Sequence, residues 1–334
     1  MGRCHQTSWD QARVTDRLQA RQKSDLQTLE RRVGHHCLRN LCIATSQKFV
    51  ANPEIKNLLR DRCNGSNLEG TNNFSKRLVM SVHNLNVKQQ SDAVQQAKIH
   101  LAAANRLAVL DDLHEGIDNH FTMIVPGRKD QYLISPFGMH WSEARASDMM
   151  IFNENGDTLE GVGVVERSAM CIHAPVHRIT GANVVLHTHQ NWALALNMLQ
   201  NNRLLPASQT AAFFMGITGY DDTYTGVADG LSEGERLAHQ VGNKKVLFMK
   251  NHGVLVVGDT VAEAYKRLYK LERVCRAQVL AMSTGQPIQV LSDEVVHAVQ
   301  NPAPGDSHSR QERDDLFFDA MMRVLDRELP GYAD

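Results

Sequence analysis

Apolar positions recur at two different spacings along the chain, and the spacing separates predicted helices from predicted strands. In residues 91–113, SDAVQQAKIHLAAANRLAVLDDL, Ala, Ile and Leu return every three or four positions, which predicts an amphipathic helix. The shorter runs HFTMIVPG, QYLISPFG and DMMIFNENGDTLEG predict strands, the last with a hairpin turn at Asn-Glu-Asn-Gly-Asp. Residues 1–79 are polar and only patchily periodic, and much of that segment is typical of loop.

The second half of the chain alternates helices with strands. Helices are predicted over residues 167–177 and 192–199, with the strand VVLHTH between them. The stretch KKVLFMKNHGVLVVGDT predicts strand, turn and strand, and Asp259 and Thr260 are suited to capping the long helix VAEAYKRLYKLERVCRAQVLAM. NPAPGDSHSRQERDD predicts a loop, and LFFDAMMRVLDREL predicts a last helix. One α/β core with an extension at each end is therefore expected.

Composition narrows the class of protein. Apolar residues make up 42% of the chain and charged residues 22%, as in ordinary soluble globular proteins. No apolar stretch approaches the roughly 18 residues that a membrane span needs. The first residues lack the apolar core of a secretory signal. The six cysteines form no CxxC pair, which argues against a disulfide framework and favours a cytoplasmic location.

The charge is distributed unevenly along the chain. Residues 1–79 carry 14 Lys and Arg against 7 Asp and Glu, and the remainder carries 22 against 30. The basic residues are scattered, without the patterns that organise nucleic-acid binding, so a nucleic-acid partner is not expected. We predict that residues 1–79 form a basic extension that is poorly packed or dispensable, and absent from the natural product if translation starts at Met80. The alternative is an arm that recruits an acidic partner or shapes an oligomer.

Two histidines close the strand VVLHTH. Strand side chains alternate between faces, so His187 and His189 project on the same side, about 6–7 Å apart along the chain. Two imidazoles in this arrangement are suited to gripping one metal ion. A hydrogen-bonded pair at a strand end is the other interpretation of the same pattern.

Several separated motifs together resemble the class II aldolase/adducin family. Along the chain they are NRLAVLDDLHEGIDNHFTMIVPG, YLISPFGMHW, EGVGV, HTH, NHG and the helix start DTVAEA. The resemblance runs from about Ala93 to Ala281. The resemblance implies an α/β fold of three layers, αβα, with a central, largely antiparallel sheet. It places the family domain at residues 80–290 and leaves a C-terminal loop and helix at residues 291–334. It also implies a homo-oligomer, with a tetramer favoured.

The resemblance supplies a metal site and leaves the proton-transfer group open. It implies that His187, His189 and His252 bind Zn²⁺ or another divalent metal, and three imidazoles leave a coordination position for substrate. Family aldolases carry a catalytic Glu four residues before a helical histidine; that histidine resembles His173, and Ala169 stands at the Glu position. The candidate substitutes for this Glu are a zinc-bound hydroxide, Glu166, His173 and His177. The other interpretations are a solvated carboxylate at a helix N-terminus for Glu166 and a buried, hydrogen-bonded core histidine for His173. Substrate contacts are expected from Asn119, Thr122 and Gly138.

Two classes of function follow from these residues. The first is a zinc-dependent lyase, an aldehyde-lyase or carboxy-lyase that acts by aldol cleavage or decarboxylation on a small hydroxy or keto acid or a related carbonyl compound. The second is a non-catalytic, adducin-like scaffold with a cytoskeletal type of association. Retention of all three metal ligands favours the enzyme, and the loss of the family Glu favours the scaffold.

Overall fold

The computed structural model describes residues 71–224, 226, 230–301 and 308–334, and side chains are described from Lys88 onward and for a few positions before it. Most of the predicted basic extension lies outside these residues. The chain divides into two units at Val87/Lys88, and the second unit holds the sheet and every site described below. Helix α1, Thr71–Leu110, begins 20 residues before the predicted start and continues without a break past Met80. The predicted domain boundary at residue 80 stays a prediction.

Eight strands and seven further helices follow α1 in the described residues. The strands are β1 His120–Val125, β2 Arg128–Ile134, β3 Met150–Asn153, β4 Thr158–Glu160, β5 Val184–Thr188, β6 Thr218–Asp221, β7 Val246–Met249 and β8 Gly253–Gly258. The helices are α2 Arg167–Thr180, α3 Asn191–Asn197, α4 Gln209–Ala212, α5 Leu231–Val241, α6 Val261–Ser283, α7 Asp293–Gln300 and α8 Arg310–Glu328. Two short 3₁₀ turns, Trp141–Glu143 and Ala146–Asp148, precede β3.

The described strands form one sheet in the order β4-β3-β2-β1-β5-β8-β7-β6. Every neighbouring pair is antiparallel except β6 and β7, which are parallel. The predicted α/β fold with a largely antiparallel sheet is therefore confirmed. No helix of the described residues combines the length and apolar character that crossing a membrane requires.

Alternation along the central strands builds two core layers. Val184 and Leu186 of β5 pack into one apolar cluster with α1, α6 and α8, whereas Val185 packs into the other with α2 and α5. β8 repeats the pattern, since Val254 and Val256 join the first cluster and its intervening residues join the second. This two-sided burial is the αβα sandwich that the period-two pattern requires.

Helices α2 and α5 approach each other closely because of a proline and a glycine. Pro175 lies inside α2 and has no N–H for the Cys171 carbonyl one turn earlier, yet the helix continues to Thr180. Gly234 of α5 packs on that carbonyl, where an added Cβ would lie 1.8 Å from the Cys171 oxygen. This contact fixes α2, and with it the histidines that α2 contributes to the site.

Some predicted boundaries are wrong. The loop predicted up to Asp315 ends earlier, because Ser309 caps α8 and Glu312 completes its capping box. Strand β6 and helices α4, α5 and α7 were not predicted. β6 is a four-residue edge strand of mixed exposure, which gives no clear period of two. Helix α5 is amphipathic but carries a glycine, which lowers helix propensity.

Candidate metal centre

The metal candidates meet at the ends of β5 and β8. His187 lies in β5, His189 follows that strand, and His252 immediately precedes β8, which pairs with β5. The three residues each offer a ligand nitrogen, and these nitrogens lie within 4.8 Å of one another. Ring centroids are 4.9 Å apart in all three pairs. The structure thus brings together the three histidines predicted as metal ligands.

Two hydrogen bonds set the tautomers of the strand pair. The Nδ1 of His187 donates to the Val254 carbonyl over 3.0 Å, and the Nδ1 of His189 forms a short contact with the Glu115 carboxylate. In neutral rings the Nε2 atoms then carry lone pairs, and these two atoms face each other at 3.1 Å. Facing lone pairs repel unless a cation lies between them. The donor set therefore fits a metal ion, with Glu115 orienting one ligand as a carboxylate partner.

Backbone geometry brings His252 against the pair. Asn251 has a positive φ of 57°, a conformation that asparagine tolerates better than most residues, and it turns the chain from β7 into β8. At Gly253 an added Cβ would lie 2.7 Å from the His189 ring and 3.2 Å from the His187 ring. The absence of a side chain at Gly253 is what lets the three imidazoles converge.

Burial keeps two of the candidate ligands, His187 and His252, neutral, as metal binding requires. Burial lowers the pKa of His252 to about 4, with a smaller contribution from the neighbouring His189 charge. Burial also lowers the pKa of His187 well below its ordinary value, and the adjacent His252 adds to the shift. The ligand nitrogens of both residues are thus free of protons at neutral pH.

A second histidine cluster lies beneath the metal candidates, between β1 and α2. The His177 Nδ1 donates to the Ala182 carbonyl over 2.7 Å, and the Thr122 hydroxyl lies 2.8 Å from the His177 Nε2. Thr122 also lies 2.7 Å from the His173 Nδ1, and the His173 Nε2 lies 2.8 Å from the His120 Nδ1. The Ala182 carbonyl only accepts, and burial lowers the pKa of His177 to about 4. In neutral rings the Thr122 hydroxyl therefore donates to the His177 Nε2 and accepts from the His173 Nδ1, and the His173 Nε2 accepts from the His120 Nδ1. The chain ends with a lone pair on the Nε2 of His120.

That lone pair faces a serine and a glutamate. The Ser168 Oγ lies 3.2 Å from the His120 Nε2 and 2.5 Å from the Glu166 Oε1. Serine has one hydroxyl proton, so it donates to only one of these acceptors at a time. When Ser168 donates to the Glu166 carboxylate, His120 is left without a donor; protonation of Glu166 releases the hydroxyl for His120. Burial raises the pKa of Glu166, against the opposing effect of the Ser168 hydrogen bond.

The remaining predicted residues lie in different environments. The Asn119 side chain accepts from the His189 backbone N–H over 3.0 Å, so it positions a metal candidate, and it lines a small cleft with Glu166. Gly138 follows Phe137, which lines the same cleft, and it has a φ of 88° that favours glycine. Thr122 and His173 are 0% exposed and lie in the buried chain, away from the cleft.

Glu115, His120 and Ser168 were not predicted from the sequence. His120 and Thr122 are two positions apart on β1, so their side chains lie on the same face of the strand. This spacing is the signal that would have placed His120 opposite the helix histidines. Glu115 is 74 residues from His189 in sequence, and nothing local pairs them. Glu166 is the N-cap of α2 and has an extended backbone, so it lies outside the helical spacing that relates positions 169 and 173.

Comparisons with known proteins agree on one family. The family model described as Class II Aldolase and Adducin N-terminal domain matches residues 99–279. A relative from Caulobacter vibrioides named "Putative aldolase class 2 protein" is 33% identical over 246 residues, covering 73% of this chain and 94% of the relative. A crystal structure of an aldolase II superfamily protein from Pseudomonas syringae aligns with a TM-score of 0.66 and 31% identity, covering 72% of this chain and 96% of that one.

Two further relatives have names that point to different functions. Alpha-adducin of Mus musculus is 31% identical over 240 residues, which are 68% of this chain and 32% of adducin. Decarboxylase NovR of Streptomyces niveus is 28% identical over 193 residues, which are 57% of this chain and 71% of that protein.

Proposed function

The chain belongs to the class II aldolase and adducin family, and from this premise we propose that it is a metal-dependent lyase. The reaction class is aldol cleavage or decarboxylation of a small hydroxy or keto acid or a related carbonyl compound, in the cytoplasm. The observation that carries the proposal is the pair of Nε2 lone pairs on His187 and His189, with His252 completing the donor set. A scaffold has no need of three converging imidazoles.

The proposed cofactor is Zn²⁺ or another divalent ion held by these three histidines. Such an ion would polarise a carbonyl oxygen and stabilise negative charge on it. The surrounding residues hold the ligands in place: Glu115 and the Val254 carbonyl fix two tautomers, and Asn119 fixes the backbone of His189. These contacts favour a site organised before the ion arrives.

Glu166 is the proposed proton-transfer group in place of the missing family glutamate. Its pKa is raised by burial, which suits a carboxyl group that gives and takes a proton nearer neutral pH. It lies beside Asn119 in the small cleft, and its side chain is 24% exposed, so the carboxyl group has contact with solvent. His173 and His177 act through the buried chain, by presenting the Nε2 of His120 as an acceptor towards Ser168. They are positioning residues in this proposal.

The test is a zinc assay followed by a substrate screen. Purified protein is loaded with zinc, its metal content is measured, and 2-keto and β-hydroxy acids are screened for released aldehyde or carbon dioxide. With an active substrate, Glu166→Gln should lower turnover by about 100-fold or more while leaving zinc content unchanged, because general acid–base groups contribute roughly that much. The matched control is Glu160→Gln, at an exposed carboxylate on β4. Equal activity of the Glu166 and Glu160 variants would remove Glu166 from the mechanism.

The adducin-like scaffold is the second candidate, and two observations favour it. The likeness to alpha-adducin is as high as 31%, and Ala169 lies in a buried apolar cluster where the family glutamate is expected. A scaffold of this kind predicts co-sedimentation with cytoskeletal filaments and no zinc-dependent turnover. Metal-free protein that sediments with actin filaments as well as the zinc-loaded protein does would support the scaffold over the lyase.

We also propose a homo-oligomer, with a tetramer favoured. On α8, Leu316 is 54% exposed, whereas Phe317 and Met321 pack partly on their own core. The apolar surface that α8 leaves exposed is thus narrow, and other surfaces would contribute to the contacts between subunits. Light scattering at micromolar concentration tests the proposal, and a monomer would contradict it.

A further inference from the structure

A cavity of about 540 Å³ lies away from the metal candidates, and the proposed lyase activity does not use it. It is open to solvent and is lined by α6, the N-terminal part of α8, the end of α7 and the loop that follows α4. Arg267, on its wall, donates to the Val257 carbonyl, four residues along β8 from Gly253. That offset corresponds to about 13 Å of extended strand, so the cavity and the metal candidates are separate. The volume lies in the range of sites for small organic molecules.

One wall of the cavity is apolar. It is formed by residues of the loop after α4, namely Phe213, Phe214, Met215 and Ile217. The loop is held in place by Gln300 of α7, whose side-chain amide donates to the Ala212 and Met215 carbonyls over 2.8 and 2.9 Å. The apolar wall is therefore held in place by hydrogen bonds from a neighbouring lining residue.

The opposite walls are strongly basic. Among the residues that the structure describes, cationic side chains outnumber carboxylates on these walls, and they are Lys266, Arg267, Lys270, Arg310 and Arg313, against Glu263 and Asp314. A concave surface lined by more cations than carboxylates attracts anions.

The two carboxylates are already engaged. Asp314 accepts from Lys266 over 2.7 Å, and Glu263 pairs with Arg267. Among the residues that the structure describes, no carboxylate forms an ion pair with Lys270 or Arg310. The Lys270 ammonium lies 5.9 Å from the Phe213 ring centroid, so an unpaired cation stands beside the aromatic wall. Burial and the neighbouring Lys266 lower the pKa of Lys270, which is the effect of a cation held in a partly dry, positive environment.

We propose that this cavity binds an organic anion in which an aromatic or other apolar body is joined to a sulfonate, carboxylate or phosphate group. The body lies on the phenylalanine wall, and the anionic group is placed between Lys270 and Arg310. The aromatic wall beside unpaired cations argues for such a molecule over inorganic phosphate alone, since phosphate would leave the apolar wall uncovered.

The test uses a matched pair of fluorescent probes on the full-length protein. 1-Anilinonaphthalene-8-sulfonate carries the required anion, and N-phenyl-1-naphthylamine has the same ring skeleton without it. The sulfonate probe should bind at one site per chain. The neutral probe should bind at least about tenfold more weakly, because a charge-assisted contact of about 1.5 kcal/mol corresponds to that factor.

Variants locate the site. Lys270→Met should weaken binding of the sulfonate probe about tenfold, whereas Lys270→Arg, which keeps the charge, should stay within about threefold of the parent protein. The control is Lys129→Met, an exposed lysine of β2 outside the cavity, which should leave affinity unchanged. His189→Ala should also leave affinity unchanged, which separates this cavity from a metal centre that attracts sulfonate.

The proposal is overturned if the sulfonate probe does not bind, if it binds at several sites per chain, or if Lys270→Met and Lys129→Met behave alike. Loss of binding in His189→Ala or on removal of zinc would assign the probe to the metal centre instead, and would equally overturn the proposal. None of these outcomes depends on whether the protein is a lyase.

Discussion

A single methyl group at Gly253 should damage the metal centre more than it damages the fold. In Gly253→Ala the new Cβ would lie 2.5 Å from the Thr188 carbonyl oxygen and 2.7 Å from the Cδ2 of His189. Gly253 is not among the glycines with a positive φ, so alanine meets no backbone penalty there. The effect of the substitution is therefore steric and is directed at the residues that carry the ligands.

The magnitude follows from these distances. Relieving both contacts requires the end of β5 or the His189 imidazole to move by roughly 0.5–1 Å, and overpacking of this kind costs about 1–3 kcal/mol of unfolding free energy. Metal sites tolerate about 0.5 Å of displacement of their ligands. We expect the affinity for zinc to fall by about 10- to 100-fold, the range seen when groups that orient metal ligands are lost.

The assay is zinc affinity measured by competition with a chelator, alongside denaturant unfolding of the metal-free protein. The matched control is Gly230→Ala at the N-cap of α5, where a Cβ would be 3.7 Å from the Ser232 hydroxyl, an ordinary contact. Zinc affinity should be unchanged in the control. If Gly253→Ala binds zinc as tightly as the parent protein, the metal is not held by the three histidines that converge on Gly253, and the proposed centre is refuted.

Three further predictions concern stability and domain organisation. Gly234→Ala should lower the unfolding free energy by about 1–3 kcal/mol, because its Cβ would overlap the Cys171 carbonyl and force α5 away from α2; an unchanged denaturation midpoint would contradict this packing. Acid should destabilise the fold between pH 6.5 and about 4, since His177 is neutral when folded, with a pKa of about 4, but protonates near its ordinary 6.5 when unfolded. The contribution of His177 to the unfolding free energy is thus complete above pH 6.5 and is lost as the pH falls, by up to about 3 kcal/mol. His177→Gln should flatten the pH dependence of the unfolding free energy. An unchanged slope would show that His177 is not a source of this pH dependence. Deleting residues 1–79 should leave zinc content and oligomeric state unchanged, whereas a thermal midpoint lowered by more than several degrees would show that the extension contributes to the core.

The pair of strand-end histidines could be predicted from the sequence because its geometry is local. His187 and His189 are two positions apart at the end of β5, and a period of two places them on one side. The sandwich was predictable for the same reason, since the central strands are apolar on both faces and the long helices have regular stripes. His252 followed only from the family resemblance of the NHG motif, because its approach to the pair requires β8 to pair with β5, which is a contact between distant segments.

The rest of the site depends on contacts between distant segments, which periodicity does not encode. Glu115 reaches His189 across 74 residues, and His120 reaches His173 across 53. The buried chain joins a strand to a helix through Thr122, whose hydroxyl lies between two imidazoles. A threonine on an apolar strand has no local feature that marks such a position, so only the packed structure reveals that it links the histidines.

The N-terminus of α2 explains why a carboxyl group is absent at position 169, where the family has its glutamate, and present at Glu166. Ala169 lies within the helix and packs in an apolar cluster with Tyr132 and Phe152, so a carboxylate there would be buried against aromatic rings. Glu166 lies three residues earlier, where the backbone is extended with φ −63° and ψ 135°, and this change of direction turns its side chain out of the helical pattern towards Ser168 and the cleft. A carboxyl group at the N-cap keeps access to solvent and a hydrogen-bonding partner, which a carboxyl group at position 169 would lack. If the chain has lyase activity, its proton transfer should therefore be assigned to the helix cap rather than to the helix face.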